Sequence, residues 1–353
     1  MNFLSPSMNG PVLFALAAAA LFGASTPFAK WLTGDVSPIL LAGLLYLGSG
    51  LGLALWRVVR DVGLKPSGLT KAEWPWLLGT VFFGGVLGPV ALMWGLTSTA
   101  GATASLLLNL ESVLTAVIAW VVFKESTDRR IVLGMASIVA GGIVLTGANP
   151  SSSVSDWTGP LLVGVACLFW AIDNNLTRKV SASDAVFIAG TKGLIAGLVN
   201  TVLALSLGAQ MPAVFTTLAT LVLGFLGYGI SLVLFVLELR GLGTARTGAY
   251  FSIAPFLGAA VAIVVFGESM SATFGLAAVL MGLGVWLHFS ESHSHDHSHA
   301  IQEHSHPHEH DAHHQHPHDF DWDEKSPHEH SHGHGGLSHR HAHFPDIHHR
   351  HEH

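Results

Sequence analysis

Residues 114–142 read LTAVIAWVVFKESTDRRIVLGMASIVAGG, and residues 257–285 read LGAAVAIVVFGESMSATFGLAAVLMGLGV. Each copy joins two apolar runs across a short polar turn. The shared VVF-x-ES sets Glu125 opposite Glu268, 143 residues further on, with Gly141 opposite Gly284. The turns differ in charge: the first continues into Asp128, Arg129 and Arg130, whereas GESMSAT holds no basic residue. Lys and Arg concentrate in the cytoplasmic loops of membrane proteins, so the two copies are expected to face opposite ways. Chance likeness between apolar helices would not place an identical motif at matching positions with opposite loop charge.

Outward from this pair the chain divides into spans. Crossing a hydrocarbon core of about 30 Å takes about 20 mostly apolar residues. Ten stretches qualify, at 11–32, 38–56, 74–95, 101–123, 131–148, 159–177, 185–207, 214–237, 245–266 and 272–289. The first contains ALAAAALFGAS but has no basic n-region, so it reads as an uncleaved span, not a signal peptide. With the N-terminus inside, the even-numbered loops hold Arg57, Arg60, Lys65, Lys71, Lys124, Arg129, Arg130, Arg178, Lys179, Arg240 and Arg246, against Lys30 alone on the other side. That bias places both termini in the cytoplasm. The expected fold is an all-α integral membrane protein of ten transmembrane helices, arranged as two inverted five-helix repeats. Residues 1–148 and 149–290 form the halves, and 291–353 form a disordered histidine-rich tail.

An odd number of spans per repeat forces the copies into opposite orientations, an arrangement that secondary transporters use to enclose a midplane site. Ionisable groups deep in the bilayer are costly and are functional candidates by default. Glu111 lies roughly 20 Å from the cytoplasmic end of its span, Lys192 roughly 10 Å and Asp173 about 7–8 Å, at 1.5 Å per residue. Glu111 and Lys192 come from different halves and are read as a carboxylate for a proton or cation beside an ammonium that pairs with it or with an anionic substrate group. A buried pair that only locks the bundle is the competing reading. Asp173 leads into Asn174 and Asn175, so bonding there or to Arg178 is equally open. Asn174, Asn109 and Tyr228 complete the expected substrate-binding set, with Asn200, Tyr46 and Tyr250 as further hydrogen-bonding groups. Glu125 and Glu268 read as helix-end devices. Pro27, Pro89 and Pro255 lie within spans and free carbonyls four residues back.

The motifs resemble a known family. FG-x6-K ends the first helix, FWA-x6-RK the sixth, and F-x-E closes the fourth and ninth, as in the EamA-type branch of the drug/metabolite transporter superfamily. The resemblance covers about residues 11–290. It implies an inner-membrane carrier with both termini inside and alternating access about a central cavity. Cargo is left open, since that family handles amino acids, sugars, nucleotide precursors and drugs.

All 24 histidines lie at or beyond His288. The tail carries them in H-x-H steps, and alternate residues of an extended chain project to one side. His293, His295, His297, His299, His304, His306, His308, His310, His313, His314, His316 and His318 are the expected metal ligands, in overlapping sites for Ni, Zn, Co or Cu. A solvated tail with no metal role, a pH-sensitive polyelectrolyte and compositional drift are the bland readings. The net charge of −7 comes from this tail and does not point to nucleic acid. Cys167 is the single cysteine and reads as packing. No nucleophile–base constellation or phosphate loop indicates an enzyme, and no cofactor is required. The expected function is secondary transport, most simply export, of small metabolites or drugs with a metal-binding regulatory or buffering tail. The alternatives are a transition-metal efflux carrier fed by the tail and a membrane-anchored metal sensor or store. The partners expected are a small-molecule substrate, the lipid bilayer and divalent metal ions, and a homodimer is compatible with the pattern.

Overall fold

The computed structural model describes residues 9–61, 67–122, 129–147, 157–181, 183–238 and 250–289, together with 294–298, 302–308, 328–334 and 338–342. Residues up to 291 and residues 292–344 form separate compact units, taken here in turn.

The first unit is helical. Its helices are α1 (Asn9–Leu32), α2 (Pro38–Asp61), α3 (Trp74–Ser98), α4 (Gly101–Val121), α5 (Arg129–Gly147), α6 (Thr158–Thr177), α7 (Ala185–Ser206), α8 (Val214–Glu238), α9 (Ala254–Phe266) and α10 (Ala272–Phe289). The first eight are long and apolar enough to cross a membrane; α9 and α10 are shorter apolar helices. Two residues of helix, 250–251, and a turn at 252–253 precede α9. Large apolar side chains cover the outside as well as the core, with Phe215 80% and Val264 82% exposed. A surface of that kind suits lipid and not water, because lipid tails carry no penalty against an exposed leucine or phenylalanine.

Close helix crossings depend on small residues. Helices α2 and α7 meet where Gly50 faces Gly193: a Cβ on Gly193 would lie 2.5 Å from the Gly50 amide nitrogen. Helices α5 and α10 cross reciprocally. A Cβ on Gly141 would lie 3.0 Å from the carbonyl oxygen of Ala277, and one on Gly284 would lie 2.6 Å from that of Gly134. Elsewhere α1 packs on α9, α4 on α6, α3 on α6, and α2 on α8.

Four helices are irregular. Helix α3 winds as a π-helix over Val81–Leu87 and α8 over Phe225–Ile230. Helix α4 breaks into Gly101–Leu107 and Leu110–Val121, with the Asn109 amide bonding back only three residues, to Leu106. The turn at 252–253 interrupts the approach to α9 in the same manner, the Ile253 amide bonding to Tyr250. Such breaks survive in a membrane only where side chains or neighbouring helices satisfy the freed backbone groups.

Polar ends are tied down by carboxylates. Glu268 accepts the amides of Gly101 and Ala102 at 2.8 Å each, so it holds the first turn of α4, where orphan N–H groups favour an anion. Nearby Lys30 donates to the Leu96 carbonyl at 2.5 Å. Its counterpart Glu125 lies outside the described residues.

At the other end Asp184 caps α7 through the amides of Val186 at 2.8 Å and Phe187 at 3.3 Å, and binds Arg60 at 2.6 Å. Partial burial pushes the Asp184 carboxyl up, but the Arg60 hydrogen bond and the two amides outweigh it and hold the group below the usual aspartate range. A depressed carboxylate stabilises the fold above its unfolded pKa, and that contribution disappears as pH falls through the folded value. Asp184→Ala is therefore expected to lower stability by about 1–2 kcal/mol at neutral pH. Thermal unfolding of the two proteins should converge under acid conditions; a difference that persists there would contradict the assignment.

The second unit holds short strands from the histidine-rich segment. Its strands are β1 (Ser294–Ser298), β2 (Gln302–His308), β3 (His328–His334) and β4 (Ser338–Ala342). Strand β1 pairs antiparallel with β4, and β2 with β3. His304, His306 and His308 fall opposite His332, His330 and His328 in register, and His295 and His297 opposite His341 and His339. The H-x-H alternation carries the period of a strand, which lets two such segments form ladder hydrogen bonds; two-stranded ladders alone are marginally stable in water. Of the expected metal ligands, His293, His299, His310, His313, His314, His316 and His318 lie outside the described residues.

Candidate functional site

The irregular turn of α3 organises the interior. Opening a π turn leaves carbonyls without helical partners, and three side chains answer them. Tyr46 of α2 donates to the Gly84 carbonyl at 2.7 Å, and Trp170 of α6 donates to the same oxygen at 3.0 Å. Asn200 of α7 reaches the carbonyls of Gly85 and Val86 at 3.3 and 3.4 Å. Gly84 is required for another reason: a Cβ there would collide with the Asp173 carboxylate.

That carboxylate forms an ion pair with the Lys192 ammonium. Both residues are buried, at 4% and 3% exposure. Thr177 donates to the other Asp173 oxygen at 3.1 Å. The sequence suggested a pairing between Glu111 and Lys192; Lys192 instead belongs to Asp173. Glu111 lies in the first turn after the break in α4 and accepts from Asn174 Nδ2 at 2.7 Å. The same nitrogen is 3.4 Å from Thr115 Oγ1. Asn174 and Glu111 are half-buried, less enclosed than the Asp173–Lys192 pair. Asp173 and Lys192 both act electrostatically on Glu111. Adjacent residues of α6 therefore serve two partners: Asp173 faces α7 and Asn174 faces α4.

An aromatic cluster stands beside the charges. Phe22 contacts Trp170 and Tyr228, with ring centres 5.8 Å apart in each case, and Phe251 at 5.3 Å. Tyr46 and Tyr228 lie 5.5 Å apart. The Tyr228 hydroxyl is buried beside the Ser25 hydroxyl.

Asn109 does not join this group. Its amide nitrogen donates to the Leu106 carbonyl at 3.0 Å and approaches Met281 of α10 at 3.9 Å, so it serves the break in α4. Asn175 donates to the Ala171 carbonyl of its own helix at 2.9 Å and to the Thr115 carbonyl of α4 at 3.3 Å. Thr115 and Gly84 were not anticipated, because no charge or motif marks them, and Trp170 stands in the FWA motif without having been read as a site residue. Cys167 is buried with its thiol 3.6 Å from the Leu107 carbonyl, a packing position. A groove of about 680 Å³ between α2 and α8, lined by Gly48, Leu51, Trp56, Leu218 and Phe225, shares no residue with the charged cluster. Its apolar lining fits lipid.

Comparison with known proteins agrees with this geometry. Residues 9–147 match the EamA-like transporter family. A protein of Methanothermobacter thermautotrophicus named an uncharacterized transporter is 26% identical over 288 residues, covering 77% of this chain and 84% of that protein. The uncharacterized transporter YyaM of Bacillus subtilis is 23% identical over 280 residues, covering 74% and 88%. A solved crystal structure shares the fold with a TM-score of 0.62 at 19% identity, over 80% of this chain and 96% of that one.

Proposed function

Starting from an EamA-like transporter domain over residues 9–147, we propose that the chain is a secondary transporter of the inner membrane that exports a small organic molecule. Ten spans form two five-helix halves threaded in opposite senses, both termini are cytoplasmic, and the substrate passes between the halves. The observation that carries this reading is the recurrence of interior irregularities at one spacing. The π turns of α3 and α8 and the breaks at 108–109 and 252–253 are each offset by 143 or 144 residues, the spacing of Glu125 and Glu268. Discontinuous helices at corresponding places in two halves point to a binding site. The α5–α10 crossing supports the same relation: 134 and 277, like 141 and 284, are 143 apart, and their contacts are reciprocal, as a two-fold axis requires.

Within this frame Asp173 and Lys192 neutralise one another. Glu111, whose hydrogen bond comes from the neutral Asn174 amide, is left as the net charge of the chamber. Glu111 therefore takes the proton or the cationic group of the substrate, Asn174 orients it, and Tyr228 supplies a hydrogen bond. The tail binds divalent transition metal and adjusts transport or buffers the ion.

Flux in proteoliposomes tests this. Glu111→Gln should lower metabolite efflux at least about tenfold, the loss expected when one charged hydrogen bond to a ligand is removed, with thermal stability near that of the native protein. Full efflux by Glu111→Gln would reject the site. A chain ending at Ser290 separates the roles of the tail: metabolite flux that responds to added metal only in the full chain fits regulation. Metal flux that survives truncation and vanishes in Glu111→Gln would instead establish a metal carrier.

A further inference from the structure

Glu238, in the last turn of α8, is fully buried, and among the described residues neither carboxylate oxygen has a hydrogen-bond partner. Its surroundings explain why. Ser231, two turns earlier on the same face, donates to the Ala18 carbonyl of α1 at 3.0 Å, so this face of α8 packs on α1. Leu232 and Val233 pack against Leu53 of α2 and Val186 and Ala189 of α7. Phe235 stacks on Phe251, just before α9, at 4.9 Å. Among the described residues these neighbours offer the Glu238 carboxylate no donor: the Ser231 hydroxyl is spent on Ala18, and the remaining contacts are apolar.

The charged and titratable groups of these elements are committed elsewhere. On α1, Lys30 is bound to Leu96 at the opposite end. On α2, Arg57 and Arg60 are held by Asp61 and Asp184. On α7, Lys192 belongs to Asp173 and Asp184 caps its own helix. Tyr250 precedes α9 and Tyr228 lies ten residues earlier on α8. Among the described residues no group of three or more His, Cys, Asp or Glu could hold a metal ion, and a hard cation needs about six oxygens.

An ionised carboxylate shut in without a donor costs several kcal/mol. We propose that Glu238 binds a proton when the end of α8 closes against α1 and α9, and releases it to water when that end opens. The reaction is –COOH to –COO⁻ plus a proton taken by solvent, with no other bond broken. Glu238 is thus a second proton site, separate from Glu111 and from the Asp173–Lys192 pair. High pH should hold this end of the helix open and low pH should hold it shut. The inference uses the packing of α8 and does not depend on which molecule is carried.

The test uses the full chain in lipid nanodiscs. Val236, fully buried two residues before Glu238, is replaced by cysteine and labelled with a membrane-impermeant maleimide from about pH 5.5 to about pH 9. Rates are normalised to Leu207→Cys, which is exposed, to remove the thiol's own titration, and labelling of Cys167 in the parent chain is subtracted. Normalised labelling of Val236→Cys should rise about tenfold with pH, the ratio that one pKa unit of coupling supplies, and should be flat and low when Glu238→Gln is added. Glu238→Asp, which still titrates, should restore the rise. Infrared difference spectra should show a protonated-carboxyl band at low pH that is missing from Glu238→Gln. An identical pH profile with and without Glu238→Gln, or an unchanged carboxyl band, overturns the proposal.

Discussion

Lys192→Met is expected to lower thermodynamic stability by about 3–5 kcal/mol, and adding Asp173→Asn to it should recover most of that loss. The asymmetry follows from where the charges lie. At 4% and 3% exposure, neither member of the pair can turn to water when its partner is removed. With Met at 192, the Asp173 carboxylate keeps only the Thr177 hydroxyl at 3.1 Å against the full cost of a buried anion. With both changes no ion remains, and an Asn at 173 can still accept from Thr177. A neutral pair of similar volume is often as stable as the ion pair it replaces. Unfolding in detergent of the native chain, both single variants and the double variant gives the coupling energy directly. Independent, additive losses would mean that the two charges do not stabilise one another. The cycle also separates structure from transport: a double variant that is stable yet carries nothing would place the pair in the transport path, whereas one that still carries would confine it to holding α6 on α7.

Depth along the helices already contained the correct pairing. Counted from the helix ends expected to be cytoplasmic, Asp173 and Lys192 fall within about 3 Å of the same level, while Glu111 lies roughly 10 Å deeper than Lys192. The preference for Glu111 with Lys192 came from seeking one charge from each half, and symmetry proved a weaker guide than depth. Helix positions were legible because a bilayer demands a fixed apolar length: eight long helices and two shorter ones occupy the ten expected stretches. The π turns were not legible. FFGGVLG and FLGYGI show only glycines among apolar and aromatic residues, and what stabilises the α3 turn is Tyr46, Trp170 and Asn200 arriving from three other helices. Glu238 escaped notice because it stands two residues before Arg240 and just past the expected end of its span, where a charge passes for part of a loop. Tail ladders were missed for a different reason. Scarcity of apolar residues argues against a core, but backbone pairing needs only the two-residue period that the histidines already carry.

Gly193→Val should be among the most damaging single changes, costing about 3 kcal/mol or more, at or beyond the upper end of ordinary overpacking. Overpacking is usually eased when a neighbouring side chain rotates away. Here the atoms met by a new Cβ are backbone: the Gly50 nitrogen at 2.5 Å, the Gly50 Cα at 2.7 Å and the Tyr46 carbonyl oxygen at 2.9 Å. Relief requires that α2 and α7 move apart, and that separation pulls Tyr46 from Gly84 and Lys192 from its seat beside Gly193. Residues 50 and 193 are themselves 143 apart, so on the inverted-repeat reading they are the same position in the two halves and meet on the axis relating them. A displacement at that crossing is borne by both copies of the position, and both halves shift together. Gly164 offers the control, since a Cβ there has no atom within 4 Å; Gly164→Ala should be neutral or stabilise by about 0.5–1 kcal/mol through helix propensity. Comparing the two variants by thermal unfolding, with size-exclusion profiles to detect loss of the folded species, measures the crossing against simple loss of glycine. Equal stability of Gly193→Val and Gly164→Ala would show that α2 and α7 do not pack backbone to backbone, and the axis through Gly50 and Gly193 would fall with that contact.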